Sequence, residues 1–480
     1  MNGLLDRLYG VSRLVPARHR LGGIPSSREA YGDILRIALP SVAEMLLMSM
    51  IGSADTMMVG QLGKNALAAV ALPGQPRMIM LSVFFALNVG ITAIVARRKG
   101  EGRQAEANRT LRNAIMLILA LSLVIMTLVL IFAEPLMRFS GGNTRTADDA
   151  EVLKNATAYY RILAWSLPVN AVSMGINAAL RGVGNTKITL EVNLVSNLVN
   201  VFFNYLLIGG NLGFPRLEVA GAAIASVIGL VTGATLSFFA VTRHKHSYLR
   251  VSPRDSWRPD RRTLGTILRV GGNAMIEQLS LRFGFFIYSR VMYSMGVALY
   301  AAHNIAMQFL NITFSLSDGI GIAGTSLVGQ KLGAGRYDLG MMYGRACYRV
   351  ALTAAIFVAM LTVSFRTKLS GLFIDAATAN AGFVIRTAAQ TMVIVAVMQP
   401  FQMGSVVLSG CLRGAGDNRF VAGVMALCVS VLRPLTAILA VYVFHLSLPE
   451  TWLFCMSEMA VRMLLFSRRF AGGKWKENKV

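Results

Sequence analysis

Acidic residues are scarce in this chain: 23 Asp and Glu stand against 47 Lys and Arg, and charged residues of both signs make up only 15% of 480. Beside 55% hydrophobic residues and a mean hydropathy of +0.56, that shortage leaves too little polar surface to enclose a soluble domain. Cysteine is nearly absent as well. Cys347, Cys411, Cys428 and Cys455 lie in or at the ends of apolar segments without CxxC spacing, so they are packing residues rather than a disulfide framework or thiolate metal site. The five histidines are scattered, with His303 of AAHNI read as a packed or hydrogen-bonded helix residue. GxGKST, HExxH and GxSxG do not occur, which argues against an ATP-driven pump, a zinc protease and a nucleophile elbow. The chain is not read as an enzyme, and no cofactor or metal is expected beyond a possible Na+. The first thirty residues lack the apolar core of a cleavable signal; they read as disordered, with an interfacial helix as the alternative.

What the chain does have is long apolar runs. Segments such as 113–133, 345–365 and 421–444 offer roughly 20 residues each, the length that crosses a ~30 Å hydrocarbon core as a helix. With the less uniform runs near 34–60, 67–96, 158–180, 188–210, 219–242, 266–295, 298–328, 386–411 and 448–467, about twelve spans are expected. In a soluble protein the net charge of +24 would suggest nucleic-acid binding, but here the cations crowd alternate loops. RRKGEGR at 97–103, the 243–269 connection with eight Lys and Arg, and the tail after Arg468 are basic, whereas Lys64 stands alone after the first span. By the positive-inside bias, both termini and the long connection are cytoplasmic, which requires an even number of spans.

The sequence is also internally duplicated. LGKNALAAV at 62–70 is echoed by MGVALYAAH at 295–303, placing Gly63 against Gly296 at an offset of 233. Gly102-Arg103 matches Gly335-Arg336 at the same offset, and Leu180-Arg181-Gly182 matches Leu412-Arg413-Gly414 at 232. The expected fold is therefore an all-α integral membrane protein of twelve transmembrane helices in two pseudo-twofold-related six-helix lobes with a cavity between them. The boundaries are a basic cytoplasmic segment at 1–30, the N-terminal lobe at 31–242, a cytoplasmic linker at 243–265, the C-terminal lobe at 266–470 and a cytoplasmic tail at 471–480. Pro73 and Pro76 mark a break near the outer end of the second span, where Arg77 can snorkel.

Ionisable residues within spans cost about 2.5–3.5 kcal/mol each at mid-helix and are functional candidates by default. Asp55, near the end of the first apolar run, is the foremost; its repeat counterpart is Tyr288. Asn193, Asn197, Asn200 and Asn204 recur at helical spacing and share one face of the fifth span, which must avoid lipid. Glu44 and Glu277 are equivalent at offset 233 and are candidates to attract cations, together with Gln402 and Arg433 as further lining of a substrate cavity. The alternative for Glu277 is a structural pair with Arg433. Glu458 and Arg462, four apart with the acid first, are expected to pair with each other.

The order and spacing of several motifs resemble the multidrug and toxic compound extrusion (MATE) transporters, particularly their bacterial DinF-like and NorM-like members. These are ALP at 38–40, DTMMVGQLG from Asp55, AAHNI at 301–305, GTSLVGQKLGAGR at 324–336, the paired LRGVGNT and LRGAGDN, and GGKW at 472–475. The resemblance implies export of organic, often cationic, compounds in exchange for H+ or Na+, by a monomer in a bacterial inner membrane. It also implies that Asn200 and Asn204 face Asp55 and that Ser226, in GAAIAS, completes a cation-coupling site of oxygen ligands suited to either ion. NorM-like members carry acids where this chain has Leu281 and Gln402, so the N-terminal lobe is the better place for the ion site, as in the DinF-like group. The rival within this architecture is a lipid-linked oligosaccharide flippase, for which Arg282, Arg290 and Arg433 would meet a pyrophosphate.

Overall fold

The computed structural model describes residues 9–477 apart from 143, 145, 244–247, 253 and 374–379, and among these it is helical with no strand. Residues 1–8 and 478–480, at the ends of the two terminal segments, and Lys245 of the linker lie outside the described residues. The first half of the chain runs α1 Ser27–Gly60, α2 Lys64–Ala71, α3 Gly74–Gly100, α4 Gln104–Phe139, α5 Ala147–Trp165, α6 Leu167–Gly182, α7 Thr186–Gly209 and α8 Glu218–Thr242. The second half runs α9 Arg261–Ser294, α10 Val297–Gly333, α11 Tyr337–Gly371, α12 Ala381–Gly414, α13 Asn418–Met425 and, finally, α15 Leu448–Gly472. Between α13 and α15, π-helical turns over Ala426–Leu432 and Leu439–Val443 flank α14 Arg433–Ile438.

Local chemistry explains the breaks. Pro73 sits at the N-cap of α3, so α2 and α3 form one interrupted span. Pro168 opens α6, which leaves α5 at 52°. Reciprocal side-chain to backbone bonds start α5 at Thr146 and Asp149 and α15 at Ser447 and Glu450. Among the described residues seven helices are long and apolar enough to cross a membrane, or eight if the bent α5/α6 pair is one span. Helices α1, α9, α10 and α15, of 34, 34, 37 and 25 residues, occupy the other expected positions and are each long enough to cross.

The chain divides into two compact units, residues 43–272 and residues 1–42 with 273–480. Helix α1, which contains Pro40, contributes to both. The duplication is visible inside each unit. Gly63 and Gly296 open α2 and α10 at φ +104° and +109°, and Gly102 and Gly335 both turn the chain at φ +72°. Only glycine takes these values without strain, which is why the echoed motifs keep it. Deeper in the membrane-crossing part, Thr92 Oγ1 donates to the Ala178 carbonyl at 2.9 Å in one unit, and Thr325 Oγ1 donates to the Gly410 carbonyl at 2.8 Å in the other. The glycine of each LRG motif lies against the same threonine, and a Cβ on Gly182 would stand 2.7 Å from the Thr92 carbonyl oxygen.

The connection after α8 belongs to the 43–272 unit because it is tied down along α4. Arg250 N–H donates to Asn108 at 2.9 Å, Asp255 pairs with Arg112 at 2.8 Å, and Asp260 N–H donates to Asn113 at 2.8 Å. Asp260 then caps α9 through the Thr263 N–H and hydroxyl, which hold its carboxylate below the usual range.

The disorder expected of the first thirty residues is corrected for 9–26. Val11, Leu14 and Val15 are buried in the core of the unit that holds α11. Arg345 of α11 donates to the Leu14 carbonyl at 2.5 Å, Arg336 to the Gly23 carbonyl at 2.9 Å, and Leu21 N–H donates to Asp338 at 3.0 Å. Three apolar side chains, together with partners for the backbone polar groups, are what a composition dominated by Arg concealed.

Replacing Gly182 by Ala drives a methyl into the Thr92 backbone and is expected to cost about 1–3 kcal/mol. Gly265→Ala, at a helical glycine with nothing within 4 Å of its missing Cβ, serves as the control. Thermal unfolding in detergent should place Gly182→Ala below wild type and leave Gly265→Ala at or slightly above it.

Candidate cation-coupling site

Within the 43–272 unit, α1, α7 and α8 bring the four expected site residues together. Asn204 Nδ2 donates to Asp55 Oδ1 at 2.6 Å. Asn200, one turn away, donates to Ser226 Oγ at 3.3 Å; with its amide turned over, it donates to Asp55 Oδ1 at 3.0 Å and accepts the Ser226 N–H at 3.1 Å. The turned orientation suits both neighbours, since a carboxylate accepts and an N–H donates. Asn200 and Asn204 are buried and Asp55 is half-buried. Helix α8 reaches α7 so closely because Gly229 packs on the Asn200 Cβ and the Ser196 carbonyl, with Ser196 Oγ donating to the Gly229 carbonyl at 2.7 Å. Buried Asn204 Oδ1 has no hydrogen-bond donor among the described residues, so the site offers an unused oxygen beside the carboxylate. Arg77 of α3 acts electrostatically on Asp55, Tyr159 and Tyr160, a role beyond the snorkelling expected of it.

The paired glutamates have a different environment. Glu44, 1% exposed, accepts from Arg181 Nη1 at 2.9 Å, Thr189 Oγ1 at 2.9 Å and Asn193 Nδ2 at 2.8 Å. In the other unit Glu277 pairs with Arg413. Arg181 and Arg413 are the arginines of the two LRG motifs, so one ion pair recurs in both repeats. The structural pair that is the alternative for Glu277 thus forms, with its partner corrected from Arg433 to Arg413. Both carboxylates are buried and held by guanidinium groups, which makes them pins between helices rather than open cation receptors.

The expected Glu458–Arg462 pair is corrected too: Arg433 takes Glu458, while Arg462 Nη1 faces Met425 Sδ at 3.7 Å. Gln402 is fully buried with neither amide atom hydrogen-bonded among the described residues, and Arg433 is fully buried, so both lie in the packed interior. Asp318 of α10, which sequence reasoning passed over, lies within electrostatic reach of Arg413 and Glu277. His303 is packed as expected, accepting from Trp452 Nε1 at 3.2 Å and stacked on Tyr300.

The MatE family model matches residues 40–206 and 274–439, once per repeat and over more than half of the chain. The chain belongs to the MatE family. It is accordingly a multi-pass membrane transporter and not an enzyme. Among MatE relatives, it is 25% identical over 93% of its length and 94% of theirs to a probable multidrug resistance protein NorM of Thermotoga maritima. A protein of the same name from Rhizobium meliloti is 29% identical over 80% of this chain and 81% of its own. A solved MOP superfamily transporter from Pyrococcus furiosus, described as having a binding pocket of reverse polarity, superposes with a TM-score of 0.84 at 21% identity, covering 93% and 96% of the two chains.

Removing one partner of the buried Glu44–Arg181 pair strands a charge in this MatE chain. Arg181→Met should lower stability by about 3–5 kcal/mol, whereas the double variant Glu44→Leu with Arg181→Met should recover much of that loss. Thermal unfolding of the purified variants measures both.

Proposed function

We propose that this transporter exports organic, often cationic, compounds by antiport, with Asp55, Asn200, Asn204 and Ser226 as the cation-coupling site. The observation that carries the reading is the buried cluster on the 43–272 unit: a carboxylate bonded by Asn204 at 2.6 Å, with the Asn204 oxygen left free to accept. An Asp with no ion-pair partner among the described residues is costly in a membrane unless it binds a proton or cation. Loss of its charge on binding would let α1 repack against α7, and access would alternate between the two lobes. H+ and Na+ both suit these oxygens. The relatives' names support the multidrug substrate class. They do not favour the flippase alternative, and Arg433, one of the three arginines it relied on, is enclosed beside Glu458. The setting we assign is a bacterial inner membrane, with both termini in the cytoplasm and a monomer as the working unit.

In proteoliposomes with H+ and Na+ gradients imposed separately, ethidium efflux should follow one of the two, and Asp55→Asn should reduce it at least tenfold while leaving thermal unfolding near wild type. Undiminished efflux by Asp55→Asn would remove Asp55 from the coupling step.

A further inference from the structure

The repeat offset maps the acid cluster of the N-terminal half onto different chemistry in the C-terminal half. Asp55 corresponds to Tyr288 and Asn200 to Arg433, both at 233, and Ser226 corresponds to Glu458 at 232. The counterparts are also neighbours: Arg433 donates to Glu458 at the positions where the Asn200 amide meets Ser226, and Tyr288 lies within electrostatic reach of both Arg433 and Glu458. A carboxylate, an amide and a hydroxyl on one side are matched by a phenol, a guanidinium and a carboxylate on the other. Arg462, one turn beyond Glu458 on α15, adds a second guanidinium.

We infer that the C-terminal repeat holds a small-anion site built on Arg433 and Arg462. Both side chains are buried, at 0% and 1% exposure. Two guanidinium groups share one carboxylate, Glu458, because Glu277 is held by Arg413. Asp318 lies within reach of the Arg413–Glu277 pair and balances charge across the wider cluster, but no carboxylate is within ion-pair distance of Arg462, so the second buried guanidinium has no direct counter-ion among the described residues. Arg433 Nε and Nη1 and Arg462 Nε and Nη2 have no acceptor among the described residues, and the sulfur of Met425 is the partner of the remaining Arg462 Nη1. Glu458 Oε2 is also without a donor, and turning it to Arg462 would still leave N–H groups of both guanidinium groups without an acceptor among the described residues. Glu277 also acts on Arg462 from its pair with Arg413; the other titratable groups facing these arginines are Tyr288, Cys428 and Cys455, all neutral in their ordinary forms. Phe285 covers the Arg433 guanidinium with its ring centroid at 5.1 Å, closing another side. A site this enclosed suits a halide-sized monovalent anion rather than an organic acid. The π-helical turns over Ala426–Leu432, directly before Arg433, are a local widening of the kind found at functional sites.

The inference does not depend on Asp55 coupling ion entry. It is tested on the purified full chain by anomalous scattering from crystals grown in sodium bromide, and by thermal unfolding in sodium chloride against sodium gluconate at equal ionic strength. The expected results are a bromide peak beside Arg433 and Arg462, and a higher unfolding temperature in chloride. That chloride response should be lost in Arg462→Met and kept in Asp55→Asn. If Arg462→Met does not fold, Glu458→Gln decides: by removing the competing carboxylate, it should shift the chloride midpoint to lower concentration. No bromide peak, or equal unfolding of wild type in the two salts, would overturn the site. A chloride response retained in Arg462→Met would overturn it as well.

Discussion

An ionised side chain in hydrocarbon must find a partner, and the interior of this protein is arranged around that requirement. Glu44 meets it with Arg181, Thr189 and Asn193, and Glu277 meets it with Arg413. These pairs tie the first helix of each repeat to the LRG helix that follows. Once they are made, Asp55 stands out as the acid whose close partners are amides rather than a guanidinium. Amides stabilise a carboxylate without neutralising it, and the proposed coupling role of Asp55 rests on that difference. Pinned glutamates and an aspartate bonded by amides therefore stand in different environments within one membrane protein.

Duplication is how one backbone plan came to serve both. The left-handed glycines, the threonine bonded to a facing carbonyl and the glutamate–arginine pin all recur. They fix where helices approach, which does not depend on what passes between them. The positions that face inward beside the pin diverge. Amides gather around Asp55, whereas guanidinium groups gather around Glu458. The two halves share a scaffold and differ in the side chains gathered beside it.

Much of this was legible before any coordinates. The twelve helical positions follow from apolar length, and the Asn200 and Asn204 face follows from helical spacing. The Glu44–Arg181 and Glu277–Arg413 pins were present in the repeat, since both members recur at 232–233, but a sequence ranks depth along a helix better than it identifies the neighbouring helix. Arg433 was offered as the alternative partner of Glu277 for that reason, and Glu458 was given to Arg462 because i,i+4 neighbours are the pairs that a linear reading sees. Asp318 lies inside the expected 298–328 span but was passed over, and its neighbours Arg413 and Glu277 come from other helices. The packing of residues 9–26 rests on Val11, Leu14 and Val15, three apolar side chains among many arginines.

The central claim is that Asp55 is where the coupling cation binds. Infrared difference spectroscopy of the reconstituted protein between neutral and acid pH tests it directly, because a protonated carboxyl has its own C=O band. The account predicts a component of that band that is missing in Asp55→Asn and, if Na+ shares the site, suppressed by added Na+. Identical difference spectra for wild type and Asp55→Asn would contradict it.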